Sequence, residues 1–226
     1  MILRGALIQA TWTGSKETMI EKHLNYVAEA AKQGAQIMCF QELFYGPYFC
    51  QIQDRKGYSW VESIPNGPTT QLMQEAAKKY GMALIVPMYE EEQTGVYYNT
   101  AAVIDADGKY LGKYRKTHLP REEWKEGVRP GREYPVFDTD FGRIAIQICY
   151  DWFFPEPTAI FALKGAEIIL APTWGNTLPD HDGMADGETT FRVRARDNGV
   201  YMVPSVYDGN SLVIDPLGRI LASNAG

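Results

Sequence analysis

Apolar positions along this chain switch between two periods, and the switching predicts alternating strands and helices. Leu3 to Gln9 reads as a buried strand, and Met19, Ile20, Leu24, Val27, Ala28 and Ala31 recur at helical spacing within Lys16 to Lys32. Ser15 stands where that helix needs a cap. Gly34 ends it, and Ala35 to Phe40 is the next apolar strand. A second amphipathic helix is predicted over Thr69 to Tyr80, with Pro68 placed to start it, and Ala83 to Met88 follows as a strand.

The rhythm then changes to paired strands. Tyr97 to Ile104 and Lys109 to Tyr114 flank the turn residues Asp105 to Gly108, and Tyr134 to Phe137 pairs with Arg143 to Cys149 around Asp138 to Gly142. Pro155 to Lys164 is predicted helical, Glu167 to Ala171 a strand, and Glu188 to Asn198 a helix stopped by Gly199. Tyr201 to Val206 is a strand, and Ser211 to Ile214 with Arg219 to Leu221 closes a last hairpin. This α/β pattern with interspersed hairpins fits a layered sandwich better than a doubly wound sheet. Gly127 to Tyr134 is the most loop-like stretch and too short to divide the chain, so residues 1–226 are expected to form one domain.

Composition narrows the function classes. The net charge of −6 and the lack of a basic stripe argue against nucleic acid; the densest basic run, Lys109 to Lys116, alternates with aromatics as a strand does. No apolar run is long enough to span a bilayer, and the N-terminal stretch, interrupted by Arg4, does not read as a leader. Cys39, Cys50 and Cys149 show neither disulfide nor metal spacing, so reduced thiols in a cytoplasmic enzyme are expected.

Three predicted segments end on reactive side chains, where functional groups collect in α/β folds. Ile37 to Glu42 stops on a carboxylate, Tyr110 to Lys116 on an ammonium, and Ile144 to Cys149 on a thiol. Each has an ordinary reading alone: a solvated acid, a surface cation, a small buried hydrophobe. Asp105 and Asp107 are better explained by turn chemistry than by calcium, and Asp180, His181 and Asp182 have no second cluster to complete a metal site. No Gly-rich phosphate loop is present.

The blocks Phe40 to Phe44, Gly112 to Pro120 and Ile148 to Glu156 resemble the three signature blocks of the nitrilase (carbon–nitrogen hydrolase) superfamily, in its order and spacing. Similarity extends through Tyr97 to Ala102, Gly165 to Ile169, Arg194 to Gly199 and Asp215 to Arg219, nearly the whole chain. The resemblance implies a four-layer α-β-β-α sandwich and a Glu42–Lys116–Cys149 triad that cleaves an amide or N-carbamoyl bond through a cysteine-bound intermediate. It implies that the backbone N–H of Tyr150 joins Lys116 at the oxyanion. It also implies a second glutamate after the lysine, with Glu123 favoured over Glu126. Tyr48 and Trp174 become candidates for substrate contact, His118 for a structural hydrogen bond. No cofactor and no metal are implied; a small-molecule substrate and a homo-oligomer, dimer or higher, are.

Within the superfamily the chain looks most like the N-carbamoyl-β-alanine and N-carbamoylputrescine branches. Trp152, Phe153 and Phe154 stand where an arginine often grips a substrate carboxylate, which leaves Arg192 or Arg194 for that task and tilts the reading towards a carbamoyl amine or plain amide. The chain also stops at Gly226, where relatives commonly continue into a C-terminal arm. A catalytically weak or inactive binding or assembly subunit on the same scaffold is the alternative reading.

Overall fold

A computed structural model describes residues 2–51, 55–175 and 186–224. Among them the strands form two sheets. The first runs in spatial order β1 (Gly5–Leu7), β2 (Ile37–Cys39), β3 (Ala83–Gln93), β4 (Val96–Ile104), β5 (Tyr110–Arg115). Its first three strands are parallel and its last three antiparallel. The second sheet runs from β6 (Phe137–Thr139) at one edge through β7 (Gly142–Ile146), β8 (Ile168–Gly175), β9 (Tyr201–Asp208) and β10 (Leu212–Ile214) to β11 (Ile220–Ser223).

Strand periodicity assigns the two faces of the first sheet. Ile37, Cys39, Ala83, Ile85, Ala101 and Val103 join Ile144, Ile146, Ile169 and Met202 of the second sheet in one core cluster. Met38, Leu84, Val86, Ala102 and Ile104, one residue out of phase, turn the other way. They pack against helices α1 (Lys16–Lys32) and α2 (Pro68–Tyr80), which contribute Met19, Val27, Met73 and Ala77. On the far side, α4 (Pro155–Leu163) and α5 (Asp186–Asn198) add Phe161 and Phe191 to the inter-sheet cluster, and α5 packs on β9. Ser205 of β9 ties the sheets together, its hydroxyl donating to the carbonyls of Ile8 and Cys39, each at 3.0 Å. The layers are therefore α-β-β-α.

Local chemistry explains most boundaries. Ser15 caps α1 by accepting from the Thr18 N–H at 3.2 Å, Pro68 opens α2, and Gly81 closes it at φ 60°. Two predicted boundaries shift. β1 is shorter than the apolar run suggested and partly exposed, because it pairs on one side only. β7 ends at Ile146, not at Cys149. A short helix, α3 (Arg121–Lys125), forms where the pattern predicts no element.

His23 on α1 is fully buried among the rings of Tyr26, Phe40 and Phe44. Its Nδ1 lies 2.8 Å from the Met19 carbonyl, which assigns the proton to that nitrogen. Burial lowers its pKa from 6.5 to about 4. Between those values the unfolded chain binds a proton that the folded one refuses, so stability falls as pH drops through this window. The loss reaches about 3 kcal/mol at the acid end. His23→Leu is expected to remove that part of the slope, visible as a smaller difference in urea midpoint between pH 7 and pH 4.5.

Candidate active site

The three predicted segments converge at one place. Lys116 lies one residue beyond β5, and Glu42 and Cys149 lie three residues beyond β2 and β7. Neither of the two charged groups is solvated: Glu42 and Lys116 are both fully buried. Lys116 Nζ donates to Glu42 Oε1 at 2.9 Å and to Glu123 Oε1 at 2.6 Å. Of the two glutamates after the lysine, Glu123 is the one that reaches it. The single turn of α3 makes this possible by directing Glu123 inward. Glu126 sits instead by Tyr58, whose hydroxyl donates to its backbone carbonyl.

Each carboxylate has further donors. Glu42 Oε2 accepts the Trp174 backbone N–H at 2.8 Å, and Glu123 Oε1 accepts the Tyr48 hydroxyl at 2.9 Å. Burial alone would neutralise Lys116, but Glu123 and Glu42 outweigh it and hold the ammonium well above its ordinary range. Burial, followed by the charge of Glu42, raises the Glu123 carboxyl above the usual carboxylate value, against the pull of Lys116. The cluster is thus an ammonium sandwiched between two acids.

Cys149 opens a short 3-10 turn, Cys149–Phe153, and sits at φ 44°. That left-handed conformation is rare outside glycine, and its strain marks a position where the surrounding structure dictates the backbone. Cys149 is half-buried as a residue, its thiol within range of the charges of Glu42 and Lys116 and of the Trp174 N–H. Burial, then the Glu42 charge, pushes its pKa well above the ordinary 9. At rest it is a neutral thiol. Cys39 and Cys50 are wholly buried, and Cys50 hydrogen-bonds the Tyr89 hydroxyl at 3.2 Å. Burial pushes Cys50 up to about 12, and both of these cysteines are closed off from a substrate, so neither competes as a nucleophile.

The remaining sequence candidates make contacts of their own. The rings of Tyr48, Trp174 and Tyr207 form a continuous wall, with Trp174 stacked on Tyr207 at 4.1 Å. Tyr150, immediately after Cys149, packs its ring on Phe153 and Phe154. His118 stacks on Phe154 and turns Nδ1 to Asp151. Arg192 and Arg194 point their guanidiniums at the carbonyls of Gly218 and Phe153. Asp180, His181 and Asp182 lie outside the described residues. Among the described residues no three His, Cys, Asp or Glu side chains are placed to hold a metal ion, and no helix is long and apolar enough to cross a membrane.

Two residues that sequence reasoning passed over are central to this geometry. Asn99 of β4 donates to both Glu42 and Glu123. Asp151, fully buried, accepts from the Ile148 N–H and the Tyr114 hydroxyl on one oxygen and from the Thr117 and His118 N–H groups on the other. Period-2 alternation alone would have placed Asn99 on the inner face with Ala101 and Val103, as a polar residue in an apolar row. Trp174 was expected to contribute its ring; its backbone N–H is what meets Glu42.

Comparison with known proteins agrees with this arrangement. A family model described as carbon-nitrogen hydrolase matches residues 4–226. An N-carbamoylputrescine amidase of Solanum lycopersicum is 36% identical over 205 residues, covering 89% of this chain and 68% of the relative. An omega-amidase of Xenopus laevis, NIT2-B, is 34% identical over 237 residues, covering 97% and 83%. Among solved structures, a carbon-nitrogen hydrolase from Helicobacter pylori G27 superposes with a TM-score of 0.89 at 27% identity, covering 98% of this chain and 84% of that one. The chain belongs to the carbon–nitrogen hydrolase family and is a hydrolase of that class.

Proposed function

We propose that Cys149 is the nucleophile, Glu42 the general base and acid, Lys116 the oxyanion partner and Glu123 the group that holds Lys116, in an enzyme acting on small linear amides or N-carbamoyl amines. The observation that carries this reading is the buried Glu42–Lys116–Glu123 cluster beside the half-buried Cys149 on a strained turn. A thiol pushed up by burial is not a resting thiolate, so its proton must leave as it attacks. Glu42 takes that proton while sulfur bonds to the carbonyl carbon. The resulting oxyanion is stabilised by the Lys116 ammonium and the Tyr150 N–H. Glu42 then returns the proton to the leaving amine or ammonia, leaving a thioester on Cys149. Water, deprotonated by Glu42, attacks the thioester and restores the thiol.

The aromatic wall of Tyr48, Trp174 and Tyr207 offers the substrate an apolar side. A substrate with a carboxylate beside the scissile bond needs a fork-shaped cation there, while Arg192 and Arg194 are engaged elsewhere. N-carbamoyl amines and plain amides are therefore favoured, in line with the activities named for the tomato and frog relatives. The chain is proposed to work as a single hydrolase domain, in a cytoplasmic homo-oligomer.

Incubation with a panel of linear amides, nitriles and N-carbamoyl amines, followed by ammonia release and peptide mass mapping, tests this reading. Turnover is expected with an adduct on Cys149 and none on Cys39 or Cys50. Neither turnover nor adduct across the panel would leave the scaffold as a binding or assembly subunit.

A further inference from the structure

Asn99 is fully buried in the middle of β4, on the same face as Ala101 and Val103. Its side-chain Nδ2 lies 2.8 Å from Glu42 Oε1 and 3.3 Å from Glu123 Oε1. These are the two oxygens that Lys116 Nζ also meets, at 2.9 Å and 2.6 Å. The geometry is a closed four-membered arrangement in which each carboxylate oxygen is shared between a charged donor and a neutral one. The amide orientation follows from charge, since an oxygen in place of Nδ2 would face two carboxylates. Asn99 holds the lysine as well: its backbone carbonyl accepts the Lys116 N–H at 2.9 Å.

Charge accounting shows why such a residue is needed. The groups facing Glu42 are Lys116 at the end of β5, Glu123 from α3 and the Cys149 thiol, with Tyr48 reaching the cluster through Glu123. One ammonium therefore serves two buried carboxylates, and like charges in one site drive one of them to take a proton. An amide that donates to both satisfies one oxygen of each without adding a charge of its own. It also occupies Oε1 of Glu42. The other oxygen, Oε2, is left to the Trp174 N–H, which itself lies beside the thiol.

We infer that Asn99 is a positioning residue for the hydrolytic reaction, pinning one oxygen of Glu42 and so fixing the other, with its Trp174 partner, on the side of Cys149. This rests on the role proposed above for Glu42. Asn99 does not touch the reacting atoms; it acts through the two glutamates and the lysine. Removing its donor lets Glu42 Oε1 swing, so the proton transfer between Glu42 and the thiol loses its alignment.

The test compares wild type with Asn99→Leu, which fills similar space without a donor. Two readouts are taken: kcat and KM on a turned-over amide, and the rate of Cys149 alkylation by iodoacetamide, which needs no substrate. In the leucine variant kcat is expected to fall about 10²-fold with KM changed little, because the proton transfer loses its alignment. Alkylation is expected to rise at least about threefold, because the Glu42 charge is no longer fixed beside the thiol. A loss of packing alone lowers thermal stability and leaves kcat within a few fold of wild type. Asn99→Ala serves if the leucine variant does not fold, with the same two changes expected. A folded variant with wild-type kcat and alkylation rate overturns the inference. If wild type turns over nothing on the panel but the alkylation rate still changes, the positioning role stands and the substrate reading fails.

Discussion

Glu42→Gln is expected to lower kcat/KM by at least about 10³-fold while leaving Cys149 open to alkylation, and Cys149→Ala is expected to abolish both. Glutamine keeps the shape of Glu42 and can still accept from Lys116 and Asn99 through its remaining oxygen, at the loss of the bond from the Trp174 N–H, but it cannot carry a proton. Both half-reactions route a proton through this one carboxylate, so both slow. The thiol responds in the opposite sense. Burial is the larger reason for its raised pKa and the Glu42 charge the next, so removing that charge makes the thiol easier to ionise. A neutral reagent such as iodoacetamide then reacts with the variant at least as fast as with wild type. Because the groups act as a unit, the double variant should be no slower than Cys149→Ala alone. Steady-state kinetics with parallel mass mapping reads all three. A Glu42→Gln variant with wild-type kcat would remove Glu42 from the base role.

Much of the frame behind this site is legible in the chain itself. The period-2 rows of β3 and β4 divide cleanly into an inner face and a helix-covered face, and Ser15, Pro68 and the Asp105 to Gly108 turn mark their elements by local chemistry. What could not be read is long-range. Glu42 and Lys116, 74 residues apart, each look like surface charges until burial forces them together. The turn at Cys149 is similarly hidden: its apolar approach reads as strand, but Asp151 pulls the chain out of the ladder at Ile148. α3 is five residues long, too short to show a helical period. Backbone donors such as the Trp174 N–H carry no side-chain signature at all. Family resemblance supplied the roles of the triad, whereas Asn99 and Asp151, having no reactive chemistry, are visible only through their partners.

Asp151→Asn should then combine a large loss of stability with a large loss of rate. Its carboxylate accepts from the Ile148 N–H at 2.9 Å and the Tyr114 hydroxyl at 2.8 Å on one oxygen. The other oxygen takes the Thr117 and His118 N–H groups at 3.1 Å and 2.8 Å and the Thr117 hydroxyl at 2.9 Å. The first oxygen thus grips the residue before Cys149, and the second the two residues after Lys116. One side chain sets the register between nucleophile and ammonium. An amide nitrogen in place of either oxygen faces backbone donors that cannot turn around, whereas the tyrosine hydroxyl can rotate to accept. Each buried N–H left unmatched costs about 1–3 kcal/mol, so a loss of roughly 2–4 kcal/mol is expected in the urea midpoint. The strained φ of Cys149 is released at the same time, and a displacement near 1 Å at the reacting atoms lowers kcat by about 10²-fold. Tyr114→Phe is the control, since it deletes one rotatable donor and leaves both backbone grips intact. It should cost about 1 kcal/mol and change kcat by no more than a few fold. If Asp151→Asn behaves like Tyr114→Phe in both measurements, the two strand ends are held in register by packing and not by this carboxylate.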